Sequence, residues 1–345
     1  MPSDVTMPKL SVIIPTYNPG EIIKPMLDSL VNQSMENFEV IIADDCSTEP
    51  YDDIIAAYED KLTIVRTKTD GNGGPWKARQ AGYDAAHGEW IAWGDQDDYF
   101  EPDVLGETIQ AGEKAHAVFV RTDCNYVIDG QSAGDISFDT GMTHGKFFRR
   151  DFIDRSSLKY NPELKSHEDI YWMTKVFCVI ARTHEQYLSL HEKTYNHVYN
   201  PYSVGNSEGK EYMSHHFPDY IGATGWVYIE EYDRHKYEIP KWFVKVNVVD
   251  VIVTAYIYQM ALVFSKTERH RERNENAAGE LIRSYKKHFH ETNRDIYESA
   301  ARDNGDYFWK KMEDSISVMP KFIPDTTFMD WLDRVSPDEE ESIDE

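Results

Sequence analysis

Leu10-Ser-Val-Ile-Ile-Pro15, Phe38-Glu-Val-Ile-Ile-Ala43, Leu62-Thr-Ile-Val-Arg66 and Trp90-Ile-Ala-Trp93 are four short apolar runs in the first hundred residues. Each is rich in β-branched or aromatic residues and too short for a helix, so each reads as a buried strand. What lies between them has a different period. Glu21 to Gln33 places Ile22, Ile23, Met26, Leu27, Leu30 and Val31 at helical spacing. Tyr51 to Glu59 and Trp76 to Ala86 also read as helices, and Asp70-Gly-Asn-Gly-Gly-Pro75 as a loop. Strands that alternate with helices form β-α-β units. The expected fold is therefore α/β and Rossmann-like, a mostly parallel sheet with flanking helices.

Ligands of such sheets bind beyond the carboxyl ends of the strands. The polar clusters fall there: Asn18 after the first strand, Asp44 and Asp45 after the second, the glycine loop after the third and Asp95 to Asp98 after the fourth. Carboxylates two apart at a strand end, as in Asp95-Gln-Asp-Asp98, suit one hard cation such as Mg²⁺ or Mn²⁺ together with phosphate oxygens. An acidic cap on the helix after Pro102 is the plain alternative. An EF-hand fails, because its sixth position must be Gly and is Phe100. The glycines follow the third strand instead of the first, so they are not a dinucleotide fingerprint, and no P-loop motif occurs. Lys77 and Arg79, at a loop-to-helix junction, suit a diphosphate or are solvated helix charges.

Past residue 100 the alternation weakens. Ala117 to Val127 reads as a strand and Ile170 to Ile180 as a helix with Ile170, Met173, Val176, Phe177 and Ile180 on one face. After about residue 206 the pattern turns helical and aromatic, and residues 338–345 form an acidic tail. The expected organisation is a catalytic domain over 1–205, a mainly helical region over 206–337 for acceptor binding or oligomerisation, and the tail. Val246 to Phe264 is apolar but contains Asp250, so it reads as a buried helix and not a membrane span. Lys plus Arg is 36 against 61 Asp plus Glu, a formal net charge of -25, which excludes a nucleic-acid partner. Cys46, Cys124 and Cys178 form no C-x-x-C pair, and the N-terminus carries no basic leader. A cytoplasmic location, at the inner face of the membrane if the C-terminal region makes peripheral contact, is expected.

Ser11-Val-Ile-Ile-Pro-Thr-Tyr-Asn18, Phe38-Glu-Val-Ile-Ile-Ala-Asp-Asp-Cys-Ser47 and Gly88-Glu-Trp-Ile-Ala-Trp-Gly-Asp-Gln-Asp-Asp98 together resemble, in wording, order and spacing, family 2 glycosyltransferases with the GT-A fold. Gly145-Lys-Phe-Phe-Arg-Arg150 through Ser166-His-Glu-Asp169 resembles the acceptor-side motif of the same family. The likeness covers about residues 8–205. It implies that Pro15, Thr16 and Tyr17 pack on the uracil of a UDP-sugar and that Asp45 accepts from its ring N–H. It places Arg79 and Lys77 near the base or diphosphate, Asp95 on the ribose or the water shell of the metal, and Asp97 on the metal itself. Asp169 is the implied general base and His197 the candidate that completes the Mn²⁺ or Mg²⁺ site.

The residue types suit that chemistry. A divalent ion neutralises the leaving nucleoside diphosphate, and a carboxylate in hydrogen-bond reach takes the proton of the acceptor hydroxyl. Glu168 next to Asp169 raises the basicity of that carboxylate by like-charge repulsion. One base opposite the leaving group gives inversion by direct displacement. The expected partners are a UDP-sugar and a glycan or glycopolymer acceptor, with a homo-oligomer built on the C-terminal region. Two rivals stand beside this reading: a nucleotide-sugar binding or assembly protein with a dead site, and a sugar nucleotidyltransferase.

Overall fold

The computed structural model describes residues 7–136, 142–162, 164 and 168–201. The expectations for residues 206–345, including the Val246 to Phe264 helix and the acidic tail, lie outside the described residues, as do Ser166 and His167.

The elements follow in the order β1 (Leu10–Thr16), a 3-10 turn (Gly20–Ile23), α1 (Lys24–Val31), β2 (Phe38–Asp44), α2 (Asp52–Ala56), β3 (Ile64–Lys68), α3 (Pro75–Ala85) and β4 (Trp90–Trp93). β5 (Tyr99–Phe100), α4 (Val104–Lys114), β6 (Phe119–Ile128), β7 (Gln131–Ile136), β8 (Lys146–Arg149), α5 (Arg150–Arg155), α6 (Glu168–Thr183) and β9 (Tyr187–Val198) complete them. The first helix is shorter than its apolar pattern. Pro25 has no N–H to give to the preceding turn, so the α-helix can only begin around it, and a 3-10 turn leads in.

One sheet runs β3-β2-β1-β4-β8-β6-β9-β5, with β7 paired to β6. β3, β2, β1 and β4 are parallel, as the β-α-β rhythm requires. β8 then pairs antiparallel with both β4 and β6, β9 is parallel to β6, and β5 is antiparallel to β9. The loss of the β-α rhythm after residue 100 is this change to mixed pairing.

The central strands are buried on both faces, which explains their unbroken apolar runs. Val12, Ile14, Val40, Ile42, Trp90 and Ala92 pack with Met26, Leu27 and Leu30 of α1 on one side. Ile13, Ile41, Ala43, Ile91, Trp93 and Phe148 pack with Trp172, Met173 and Val176 of α6 on the other. Trp93, Phe148 and Trp172 meet edge to face at 4.9–5.5 Å, a favoured arrangement for aromatic quadrupoles. That aromatic seam fixes the start of α6, and with it Glu168 and Asp169, against the end of β4.

Candidate active site

The parallel strands end at one rim, and the loops after them are tied to each other. After β2, the Asp45 carboxylate accepts from the backbone N–H of Gly73 at 3.0 Å and of Gly74 at 2.7 Å, and from the Thr69 hydroxyl at 2.9 Å. The glycine loop is therefore wrapped around Asp45. Gly74, with φ 89°, takes a backbone conformation that side chains resist, and it leads directly into α3. Lys77 in the first turn of α3 is ion-paired with Asp70 and donates to Gly71 C=O at 3.0 Å.

Two residues on, Arg79 is buried. Its guanidinium bonds Asp95 at 2.9 Å after β4 and Glu168 at the start of α6. Asp95 in turn faces His144 Nδ1 at 3.5 Å. A chain of alternating charge thus runs Glu168, Arg79, Asp95, His144, and joins α3, β4, α6 and the segment before β8. Burial works against each charge and the partners decide the outcome. Burial would lower Arg79, but Asp95 and Glu168 hold it firmly protonated. Burial would raise Asp95, but Arg79 and His144 hold it well below the usual carboxylate range. Burial would lower His144, but its bonds to Asp95 and Cys124 lift it to about 10. For Glu168 burial wins over Arg79, Asp169 adds repulsion, and the group sits at about 7.

The acidic loop is pinned from β9. The Asp95 N–H donates to the Tyr195 hydroxyl at 2.7 Å. Asp98 is fully buried, accepts from Val198 N–H at 2.8 Å and lies 3.1 Å from His197 Nδ1. The rings of His144 and His197 stack at 5.0 Å with an interplanar angle of 7°. Asp98, His144 and His197 each offer one ligand atom, and these atoms lie within 4.8 Å of one another. One carboxylate oxygen and two imidazole nitrogens make a donor set that fits a divalent transition ion such as Mn²⁺, which binds as each ring gives up the extra proton that its carboxylate partner favours. Asp97, the residue expected on the metal, stands beside this set and not in it. Its carboxylate accepts from Asn200 at 2.7 Å, and burial with the adjacent Asp98 raises it to about 6.

The structure thus brings Arg79, Asp95, Glu168, His144, His197, Asp97 and Asp98 together. Asp169 is near enough for Arg79 to feel its charge, and its carboxylate accepts from Ile170 N–H at 2.8 Å. Asp45, Tyr17 and Lys77 occupy the adjoining part of the rim. Pro15 and Thr16 end β1, with Thr16 C=O accepting from Asp45 N–H at 2.8 Å. Arg79 is not the free rim cation that the sequence suggested but the centre of the ion chain. Trp93 and Trp172, close to the rim, are core residues. His144 was missed, since one histidine in an irregular segment has no periodic or spacing signal; its β-bridge to Trp93 brings it to the site.

Residues 11–162 match the profile of the family described as Glycosyl transferase family 2. The poly(ribitol-phosphate) beta-N-acetylglucosaminyltransferase TarS of Staphylococcus aureus is 36% identical over 187 residues, which cover 50% of this chain and 33% of that protein. The poly(ribitol-phosphate) beta-glucosyltransferase of Bacillus spizizenii is 41% identical over 101 residues, 28% of this chain and 16% of that protein. The chain thus spans a third or less of the length of these curated relatives. Among solved structures, S. aureus TarS 1–349 in complex with UDP-GlcNAc superimposes with a TM-score of 0.67 at 21% identity, over 80% of this chain and 81% of that one. That likeness is one of fold, and the fold is GT-A. Among the described residues no helix is long and apolar enough to cross a membrane. Residues 11–162 thus carry the pattern of glycosyl transferase family 2.

Proposed function

We propose that this chain is an inverting, metal-dependent glycosyltransferase that moves a sugar from a UDP-sugar to a hydroxyl of a glycopolymer acceptor. The observation that carries the reading is the shared rim. There an Asp98–His144–His197 set and the Glu168–Asp169 pair are joined through Arg79 and Asp95, and the Asp97 carboxylate lies beside them. The acceptor class follows the names of the relatives, both of which act on poly(ribitol-phosphate).

Asp98, His144 and His197 would hold the cation, with Asp97 alongside. When bound, a divalent ion supplies Lewis-acid neutralisation of the charge that gathers on the departing diphosphate. The chain's own groups do the rest. Pro15, Thr16 and Tyr17 seat the base, and Asp45 accepts from its ring N–H while it keeps its bonds to the glycine loop. Lys77 lies on the diphosphate side. Arg79 keeps Asp95 and Glu168 ionically paired, so that the buried carboxylates do not repel the donor. Asp169 takes the proton of the acceptor hydroxyl as that oxygen attacks the anomeric carbon. Attack from the face opposite the leaving group inverts the centre. We place the reaction in the cytoplasm.

The test is UDP release with Mn²⁺, screened over UDP-Glc, UDP-Gal, UDP-GlcNAc and UDP-GalNAc. One donor is expected to turn over; Asp169→Asn is expected to lower kcat by at least about 100-fold, the scale of general acid–base catalysis, and Asp97→Ala by about 10–100-fold through the cation set that it adjoins. Wild-type turnover in Asp169→Asn would remove the base assignment. Donor binding without any UDP release would make the chain a binding protein.

A further inference from the structure

From β1 the chain runs to β2 and β3 on one side, then returns to β4 on the other. The strand order reverses between β1 and β4, and an open parallel sheet forms its ligand crevice at such a reversal. The β1–β4 register extends from Leu10–Trp90 to Ile13–Trp93, and the Gly94 N–H adds a bond to Ile13 C=O at 3.0 Å. On its other flank β1 stays in register with β2 as far as Thr16–Asp44. The end of β1 therefore follows β2 while the loop after β4 departs.

Gln96 crosses this gap. Tyr17 N–H donates to Gln96 Oε1 at 2.9 Å, and Gln96 Nε2 donates back to Tyr17 C=O at 3.3 Å. A side-chain amide thus forms the rung that the ladder lacks. The opposite flank of the same turn is held as well. Asn18 N–H donates to Ser47 Oγ at 2.9 Å, and Asn18 Oδ1 accepts from the N–H groups of Thr48 and Glu49 at 2.8 and 3.1 Å. Asn18 has φ 45°, so this turn adopts a conformation that its cross-links must maintain. Gln96 lies between Asp95, paired with Arg79, and Asp97, held by Asn200, so its own loop is anchored. Tyr17, 44% exposed, is the movable partner.

We propose that Gln96 is a positioning residue that acts through Tyr17: it spans the switch-point crevice and fixes the seat of the nucleoside base. This rests on the reading of a uridine-containing donor at the rim. It concerns the β1 turn and not the cation site.

Calorimetric titration of the full chain with uridine and with UDP, both in Mn²⁺, tests it. Gln96→Met keeps the length of the side chain and removes both bonds. It is expected to weaken uridine and UDP equally, by about tenfold, as two lost neutral hydrogen bonds allow. Mn²⁺ affinity without nucleotide, read by electron paramagnetic resonance, is expected to stay unchanged. In a Tyr17→Ala background the backbone bonds to Gln96 persist but the ring that they position is gone, so Gln96→Met is expected to have no further effect on uridine binding. Gln96→Glu keeps the bond from Tyr17 N–H but sets an oxygen against Tyr17 C=O. It too is expected to weaken uridine, and it serves if the Met variant loses its thermal transition. Uridine binding within about twofold of wild type, or the same loss with and without the Tyr17 ring, overturns the latch alone. A wild-type chain that binds neither uridine nor UDP overturns the donor reading, and the latch with it.

Discussion

Arg79 shows how far a single residue's meaning depends on what folds against it. In the sequence it is a cation near a glycine loop, and its spacing fits a diphosphate ligand. In the fold it is 6% exposed and divides its guanidinium between Asp95 and Glu168. Removing one partner of a buried ion pair leaves the other charge uncompensated. Arg79→Met is therefore expected to destabilise the chain by about 3–5 kcal/mol, measured by denaturant unfolding. Asp97 carries a second expectation. Its folded-state value, about 6, lies above its ordinary 3.8, so folding takes up a proton between those values. The stability it contributes accordingly falls as pH rises through that window. In a chelator, Asp97→Asn is expected to be more stable than wild type at pH 8, by about 1 kcal/mol after allowance for partial exposure. The difference is expected to vanish below about pH 3, where the carboxyl is protonated in both states. A substitution that removes function and yet strengthens the metal-free fold marks a residue kept for its chemistry.

At the scale of elements, legibility in the sequence followed burial. β4 has the ends read from its four residues, Trp90–Trp93, because all of them are buried and β-prone. β3 was read two residues early. Leu62 is apolar because it packs into the core from a turn, whereas the strand proper, Ile64–Lys68, is half exposed and carries polar residues. α2 closes at Ala56, short of Glu59, because the N–H groups of Lys61 and Leu62 bond back to Tyr58 C=O and turn the chain toward β3. The rim loops Asp45, Asp95 and Asp97 were legible, since polar residues at strand ends have few structural roles. His144, Gln96 and Tyr195 were not, because their roles depend on partners far away in sequence. Close packing between elements also gives a prediction. A Cβ on Gly112 of α4 would lie 2.6 Å from Val120 Cγ2 of β6 and 2.8 Å from Trp90 Cη2 of β4. Gly112→Ala is expected to lower stability by about 1–3 kcal/mol through overpacking, read as a lower thermal midpoint, despite the better helix propensity of Ala.

For the whole molecule, the formal net charge of -25 sets the conditions under which the site works. A UDP-sugar is an anion, and an acidic protein repels it over a distance set by screening. As ionic strength rises toward physiological values the Debye length shrinks to about 8 Å. The donor KM at saturating Mn²⁺ is therefore expected to fall on going from low to physiological salt, with kcat little changed. A basic donor funnel would give the opposite trend. The two faces of the sheet also divide the work. The α1 side is a packed apolar layer, and the α6 side is an aromatic seam that ends at Glu168 and Asp169. Trp172→Ala is expected to cost about 3–5 kcal/mol and, through the displaced start of α6, to lower kcat as well.

The tie between the acidic turn and β9 has a temporal side. Tyr195 and Val198 meet Asp95 and Asp98 across a sequence separation of 100 residues. A nascent chain thus extrudes Asp95 to Asp98 long before the groups that anchor them. At ribosomal speeds of about 5–20 residues per second, the interval is on the order of 5–20 s. The Asp98–His144–His197 cluster is therefore one of the last features of this domain to be born, and a half-made protein has the parallel strands without it.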